Sequence, residues 1–221
     1  MRIAILGNAN MIHTVRWANG FCEKGHEVYL ISCHEKSSTL DDSVNYLKLR
    51  FKAPLGYFLN VLELKNVLRT IFPDLLNVHY ATGYGFLGRI TNFAPSFLSV
   101  WGTDVYAFPQ TSCIHNMFVS GNLSHYTSVG STSECMKKQV LSIVSRRHVF
   151  VTPFGVDTSL FSPADKRNGD KFVIGTVKTL MREYGIDVLI KSVALIEFLD
   201  PELFSKIYVE ITGDGNIRKE L

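Results

Sequence analysis

Lys178 and Arg182 lie in a glycine-punctuated loop between an apolar strand pattern, Phe172 to Val177, and a helical pattern whose apolar positions are Ile186, Val188, Leu189, Ile190 and Val193. Two cations on a loop that opens a helix suit a phosphate, because the first amides of a helix are unpaired donors and the helix dipole adds to the attraction. The loop Gly7-Asn8-Ala9-Asn10 has a similar setting near the start of the chain, after a short apolar run and before a helical pattern that contains His13. His79 closes a further strand pattern, and the stretch Val100 to Tyr106, VWGTDVY, places Trp101 and Asp104 at the end of another. Ligands collect at the carboxyl ends of strands in open parallel sheets, which makes both places candidates for substrate contact. Each residue also has a purely structural reading. His13 serves as a capping or surface histidine, His79 as one tied to a loop carbonyl, Asp104 as the cap of its turn, and Lys178 and Arg182 as solvated charges.

The elements that must hold these loops alternate along the chain. Ile3 to Leu6 is a buried-strand pattern and Ile12 to Lys24 a helix with Ile12, Val15, Ala18 and Phe21 or Cys22 on one face, stopped at Gly25. Strands at Val28–Ser32, Val44–Leu49, Leu75–His79, Phe97–Trp101, Tyr126–Val129 and Val149–Thr152 follow. Helices at Tyr57–Ile71, Gly83–Phe93 and Cys113–Gly121 separate several of them, and Ser131 facing Glu134 in a capping box opens one more. This pattern predicts an α/β, doubly wound, Rossmann-like lobe over residues 1–152. Only Gly7 is present where a dinucleotide fingerprint needs three glycines, which counts against an NAD enzyme. Pro153-Phe154-Gly155 ends the last strand and begins a hinge and linker, 153–171, whose stretch Asp165 to Lys171 is polar. A second lobe begins at residue 172, with one helix, a strand at Ile207–Ile211 and the turn Gly213-Asp214-Gly215-Asn216 before Leu221.

Composition narrows the function classes. With 46% apolar and 19% charged residues among 221, the chain has ample core, and a net charge of +3 does not call for nucleic acid. No apolar run reaches membrane-spanning length, and the segment after Met1-Arg2 is too short for a signal-peptide core, so a cytoplasmic protein is expected. Cys22, Cys33, Cys113 and Cys135 are widely spaced, which suggests reduced thiols rather than a zinc site or a disulfide framework. Lys137-Lys138 and Arg146-Arg147-His148 bracket an apolar helical pattern. Such a cluster is a solvated basic face or a contact for an anionic bilayer, and peripheral association with the inner membrane follows from the second reading.

Several of these stretches carry a family resemblance. Ile12-His13-Thr14, Arg16-Trp17-Ala18 and Gly25-His26-Glu27-Val28, then PFGVD from Pro153 with Phe161 and Pro163, then IGTVKTL, YGIDVLI and ITGDG resemble retaining GT-B glycosyltransferases of glycosyltransferase family 4. The resemblance implies two Rossmann-like lobes and transfer of a sugar from a nucleotide sugar to a glycan or lipid-linked acceptor with the anomeric configuration kept. It implies no cofactor and no metal, and a setting in bacterial surface polysaccharide or lipopolysaccharide assembly. By the same resemblance, Gly7, Asn8, His13 and His79 face the acceptor and sugar, while Lys178 and Arg182 hold the donor diphosphate. The chain departs from the family at Trp101, where many relatives have a histidine that contacts the transferred sugar. An indole is a donor only, so Trp101 is expected to form a stacking wall and Asp104 becomes the catalytic candidate at the reacting sugar.

Two features of the family pattern bear on the length of the chain. The paired glutamates of the second lobe find no counterpart before Leu221, and two strands are few for a parallel sheet of this kind. The sequence is therefore expected to be the first lobe and the opening of the second, an incomplete nucleotide-sugar-binding domain over 172–221. The alternatives are a non-catalytic lobe that binds acceptor or partner, and a nucleotide-sugar isomerase or hydrolase of GT-B form.

Overall fold

The computed structural model describes residues 1–145, 148–163 and 171–221. Arg146 and Arg147 of the basic cluster, and residues 164–170 of the expected linker, lie outside the described residues. The chain divides into two compact units, Met1–Val156 and Asp157–Leu221.

The first unit holds strands β1 (Arg2–Leu6), β2 (Glu27–Ser32), β3 (Asn45–Lys48), β4 (Leu75–His79), β5 (Ser96–Ser99), β6 (Ser128–Ser131) and β7 (Val149–Val151). Its helices are α1 (Ile12–Glu23), α2 (Gly56–Leu59), α3 (Val61–Ile71), α4 (Gly83–Thr91), α5 (Ala107–Gln110), α6 (Cys113–His125) and α7 (Glu134–Ile143). The seven strands form one parallel sheet in the order β3-β2-β1-β4-β5-β6-β7. Successive β1 residues point to opposite faces, so Ala4 and Leu6 enter one apolar cluster and Ile3 and Ile5 another. Val15 and Ala18 of α1 complete the smaller cluster, while Leu64 and Leu68 of α3, Leu87 of α4, Leu123 of α6 and Val140 of α7 complete the larger. Chain order reverses between β1 and β4, and the carboxyl ends of those two strands are neighbours there.

The structure departs from the sequence reading where tertiary contacts outrank local pattern. The helix expected over Tyr57–Ile71 is broken at Asn60, whose buried amide is bonded in both directions to Phe51, accepting from its N–H at 3.0 Å and donating to its carbonyl at 2.8 Å. Helix α7 is capped by Ser133, whose hydroxyl accepts from Met136 N–H at 3.1 Å. Ser131 instead ends β6 and donates to the Ser133 carbonyl at 3.1 Å. The helix α6 runs through Gly121 to His125, which displaces β6 two residues onward from the expected start at Tyr126.

The second unit has β8 (Phe172–Val177), a single 3-10 turn at Arg182–Tyr184, α8 (Ile186–Leu199), α9 (Pro201–Ser205) and β9 (Ile207–Thr212). The two strands pair in parallel, and Leu180, Ile186 and Ile217 form a small core against Ile190 and Ile211. Among the described residues, no helix is long and apolar enough to cross a membrane.

The contact of α4 with the sheet depends on Gly88. A Cβ there would lie 2.5 Å from the Tyr126 hydroxyl and 2.9 Å from Val78 Cγ2. The hydroxyl is already committed, donating to the Gly85 carbonyl at 2.6 Å, and the valine is held by its strand. Alanine improves helix propensity by about 1 kcal/mol, but overpacking costs roughly 1–3 kcal/mol. Gly88→Ala is therefore expected to lower unfolding free energy in urea; equal or raised stability would refute the close approach.

Candidate functional site

Gly7 immediately follows β1, and His79 ends β4 directly beside it. A Cβ on Gly7 would meet His79 Cβ at 3.1 Å and Thr14 Cγ2 at 3.3 Å, so the small residue lets the histidine sit in the crevice at the strand ends. His79 is 1% exposed. Its Nδ1 is 3.3 Å from the Thr14 hydroxyl, and its Nε2 has no hydrogen-bond partner. The Trp101 ring lies over it at a centroid separation of 5.1 Å. His13, in the first turn of α1, is stacked on Phe154 at 3.7 Å with the rings 6° apart and meets the edge of Trp101 at 5.5 Å. The His13 Nδ1 and Trp101 Nε1 atoms are also buried without a partner.

These groups surround a cavity of about 510 Å³, within the range of small-molecule sites. Asn8, His13, His79 and Trp101, expected at separate strand ends, all line it, and Gly7 packs behind His79. The sequence analysis missed Tyr57, Tyr80, Tyr84 and Phe154, which supply the rest of its aromatic wall. Tyr84 has its hydroxyl fixed by Ser32, Cys33 N–H and His34 Nδ1 at 3.0, 2.9 and 2.8 Å. Tyr80 has φ of 81°, a conformation uncommon for a residue with a Cβ, and its hydroxyl is 2.5 Å from that of Thr103. No local sequence pattern announces that strain. On the other side of the His13–Phe154 stack lies a second cavity of about 270 Å³, lined by Arg16, Trp17 and Lys24. Asn8 uses its side chain locally, accepting from Asn10 N–H at 3.0 Å, and no side chain caps α1.

Asp104, expected at the reacting sugar, stands elsewhere. It is fully buried, and its carboxylate accepts from three backbone N–H groups: Ala81 at 2.8 Å, Gly102 at 2.8 Å and Trp101 at 3.1 Å. It does not line the cavity. Burial pushes its carboxyl above the ordinary value while the backbone donors pull it down. Asp104 braces the loop carrying Trp101 against the loop after β4, and so fixes the wall of the site.

In the second unit, Lys178 and Arg182 share one exposed loop after β8. The Lys178 ammonium lies 4.0 Å from the centroid of the Tyr184 ring, whereas Arg182 is paired with Glu220. The Gly213-Asp214-Gly215 turn packs directly on this loop. A Cβ at Gly213 would fall 1.9 Å from the Lys178 carbonyl and one at Gly215 2.2 Å from that of Leu180. Leu180 N–H donates to Asp214 O at 3.0 Å. The carboxyl ends of the two parallel strands thus form one loop cluster. Among the described residues there is no group of three or more His, Cys, Asp or Glu side chains that could hold a metal ion.

A seven-stranded parallel lobe followed by the strands and helices of a second unit is the architecture of GT-B proteins. The chain is similar over 100% of its length to HepE of Anabaena, solved in complex with UDP, with a TM-score of 0.74 and 15% identity. It is similar over 97% of its length to sucrose-phosphate synthase from Thermosynechococcus elongatus, at a TM-score of 0.66 and 13% identity, covering 70% of that chain. It is also similar over 99% of its length to WaaG, a glycosyltransferase involved in lipopolysaccharide biosynthesis, at 0.63 and 10%. The chain spans 63% of the length of HepE and 65% of that of WaaG. These likenesses define the fold as GT-B with a Rossmann-like first lobe. Residues 2–133 match the glycosyl transferase 4-like family, more than half of the 221 residues, and the chain belongs to that family. No curated protein matches the chain significantly.

Two measurements check the local chemistry. Burial, and secondarily the neighbouring His13, push His79 down to about 3 from 6.5. The unfolded chain therefore takes up this proton first as pH falls, so the contribution to stability is complete above the unfolded value and is lost between 6.5 and about 3. At ~1.4 kcal/mol per unit this amounts to a few kcal/mol, and His79→Asn is expected to flatten the acid limb of stability against pH by that order. An unchanged slope would place the histidine in water. Asp104→Asn turns an amide donor toward backbone N–H groups and should cost about 1–3 kcal/mol in chemical denaturation; undiminished stability would show that the carboxylate is not the brace.

Proposed function

We propose that this chain is part of a glycosyltransferase that moves a sugar from a nucleotide sugar to a glycan or lipid-linked acceptor with retention of anomeric configuration. The observation that carries the reading is the aromatic cavity at the β1/β4 strand ends, where His13, His79 and Trp101 each bury a ring nitrogen without a partner. Such atoms are costly unless a ligand answers them. Aromatic faces with a few polar edges suit a sugar, whose C–H face stacks and whose hydroxyls bond. In this reading Gly7, Asn8, His13, His79 and Trp101 form the acceptor and sugar side, and Asp104 positions Trp101 rather than touching substrate.

The donor belongs to the loop cluster of the second unit. Lys178 supplies positive charge for the departing nucleoside diphosphate, the charge that grows in the transition state. The complex of HepE with UDP supports a uridine nucleotide as the first donor to test, and the role of WaaG supports bacterial surface polysaccharide or lipopolysaccharide as the setting. Action at the cytoplasmic face of the inner membrane, with peripheral contact and no nucleic acid partner, completes the proposal.

The test is an assay of the full gene product with radiolabelled nucleotide sugars and lipid-linked or oligosaccharide acceptors, with product anomers read by NMR. Transfer with retention supports the reading; consumption of nucleotide sugar without an acceptor would replace it with an isomerase or hydrolase. Lys178→Ala is expected to weaken nucleoside-diphosphate binding by about 1–3 kcal/mol in calorimetry. Arg182→Ala should cost less, because Glu220 already answers that charge. Equal affinity of wild type and Lys178→Ala would remove Lys178 from the donor site.

A further inference from the structure

We propose that the cavity of about 510 Å³ at the β1 and β4 strand ends takes an uncharged sugar ring and rejects sugars that carry a carboxylate or phosphate. The inference rests on the glycosyltransferase reading and adds the charge class of its sugar. Among the described residues, no Asp, Glu, Lys or Arg side chain lines this cavity. The buried carboxylate nearest in sequence to its wall, Asp104, has its oxygens occupied by backbone donors. The cations Arg16 and Lys24 line the smaller cavity beyond the His13–Phe154 stack. Charge is thus sorted between two neighbouring spaces, and the larger is left to neutral groups.

What the larger cavity presents is a set of neutral hydrogen-bonding edges. His79 Nε2, His13 Nδ1 and Trp101 Nε1 are buried and unpartnered, and His79 itself is 99% buried by its 1% exposure. A sugar hydroxyl donates and accepts, so it satisfies either imidazole tautomer and the indole N–H alike. A carboxylate or phosphate accepts only, and entering this space would strip its water without a cation to replace it. Burial keeps His79 from supplying that cation, since it stays neutral far below neutral pH. The wall of Tyr57, Tyr80, Trp101 and Phe154 offers faces for the apolar side of a ring.

One ligand chemistry has two sources here, the sugar being transferred and the sugar that receives it. The experiment is proton and 15N NMR on the 221-residue chain, following the indole N–H signals of Trp17 and Trp101, assigned by Trp17→Phe. Methyl hexopyranosides are expected to shift the Trp101 signal, while the matching methyl hexuronides and hexose 6-phosphates bind at least about 100-fold more weakly, a ratio of the size a site imposes when a buried group is left unpaired. A shift caused by a free glycoside assigns the ring to the acceptor; one caused only by a neutral UDP-hexose, and not by UDP, assigns it to the transferred sugar. Either result supports the proposal. Charged sugars binding as well as neutral ones, or no sugar of any kind moving the Trp101 signal, would overturn it.

Two variants keep the result independent of folding. His79→Phe retains a ring and removes both nitrogens, and Trp101→Phe removes the indole donor; each is expected to weaken neutral-sugar binding at least about tenfold with native far-ultraviolet circular dichroism. Retained affinity in both would overturn the proposal. UDP titration of the same sample forms a separate arm. Absence of UDP binding with neutral-sugar selectivity intact would sink the nucleotide-sugar reading and leave the cavity assignment standing. UDP binding with indifference to sugar charge would do the reverse.

Discussion

Gly7 and His79 stand at the ends of two adjacent parallel strands whose chain connections leave in opposite directions, and the backbones approach closely enough to leave little room for a Cβ on Gly7. The rest of the site is arranged around this approach. Because Gly7 is small, the His79 ring sits in the crevice against Thr14 and beneath Trp101. Because the ring is buried, its basicity is lowered, and its Nε2 has no hydrogen-bond partner. The parallel sheet, buried by separate apolar clusters through alternate residues of β1, supplies the rigid base that such a close approach needs.

Asp104 shows how a charged residue serves a site without entering it. Its carboxylate gathers three amides from the loops after β4 and β5 and so joins two strand ends, alongside the Tyr80–Thr103 hydroxyl pair and the His79–Trp101 ring contact. Burying a carboxylate is costly, and several backbone donors are what makes it tolerable. The tyrosines work by a similar principle: the Tyr84 hydroxyl is used by Ser32, Cys33 and His34, which leaves its ring as a fixed wall. Rigid aromatic surface with few free polar atoms favours selection by shape and by hydroxyl pattern.

The strand-end loops of the two units differ in exposure. The first presents a partly enclosed aromatic wall, the second an exposed loop with Lys178 and Arg182, closed by glycines whose backbone lies against the Lys178 and Leu180 carbonyls. Burial strengthens hydrogen bonds, while an exposed lysine acts mainly as a point charge.

The alternation of apolar runs with helical patterns was enough, by itself, to determine a doubly wound lobe, because strands buried on both faces and amphipathic helices leave strong local signatures. The loops bearing Gly7, Asn8, His13, His79, Trp101, Lys178 and Arg182 were legible for the same reason: strand ends are visible in sequence, and ligand sites of this fold lie at strand ends. Boundaries were less so, as the break at Asn60 depends on hydrogen bonds to Phe51 and the length of α6 on packing that overrides Gly121. Only the tertiary structure decided what Asp104 does, because its partner Ala81 lies 23 residues away and no local pattern marks an amide as its target. Likewise, Tyr57, Tyr84 and Phe154 meet one cavity from distant segments. Periodicity records which face of an element is buried, but the identity of the groups it meets there is fixed by the crossing of strands and helices far apart in the chain.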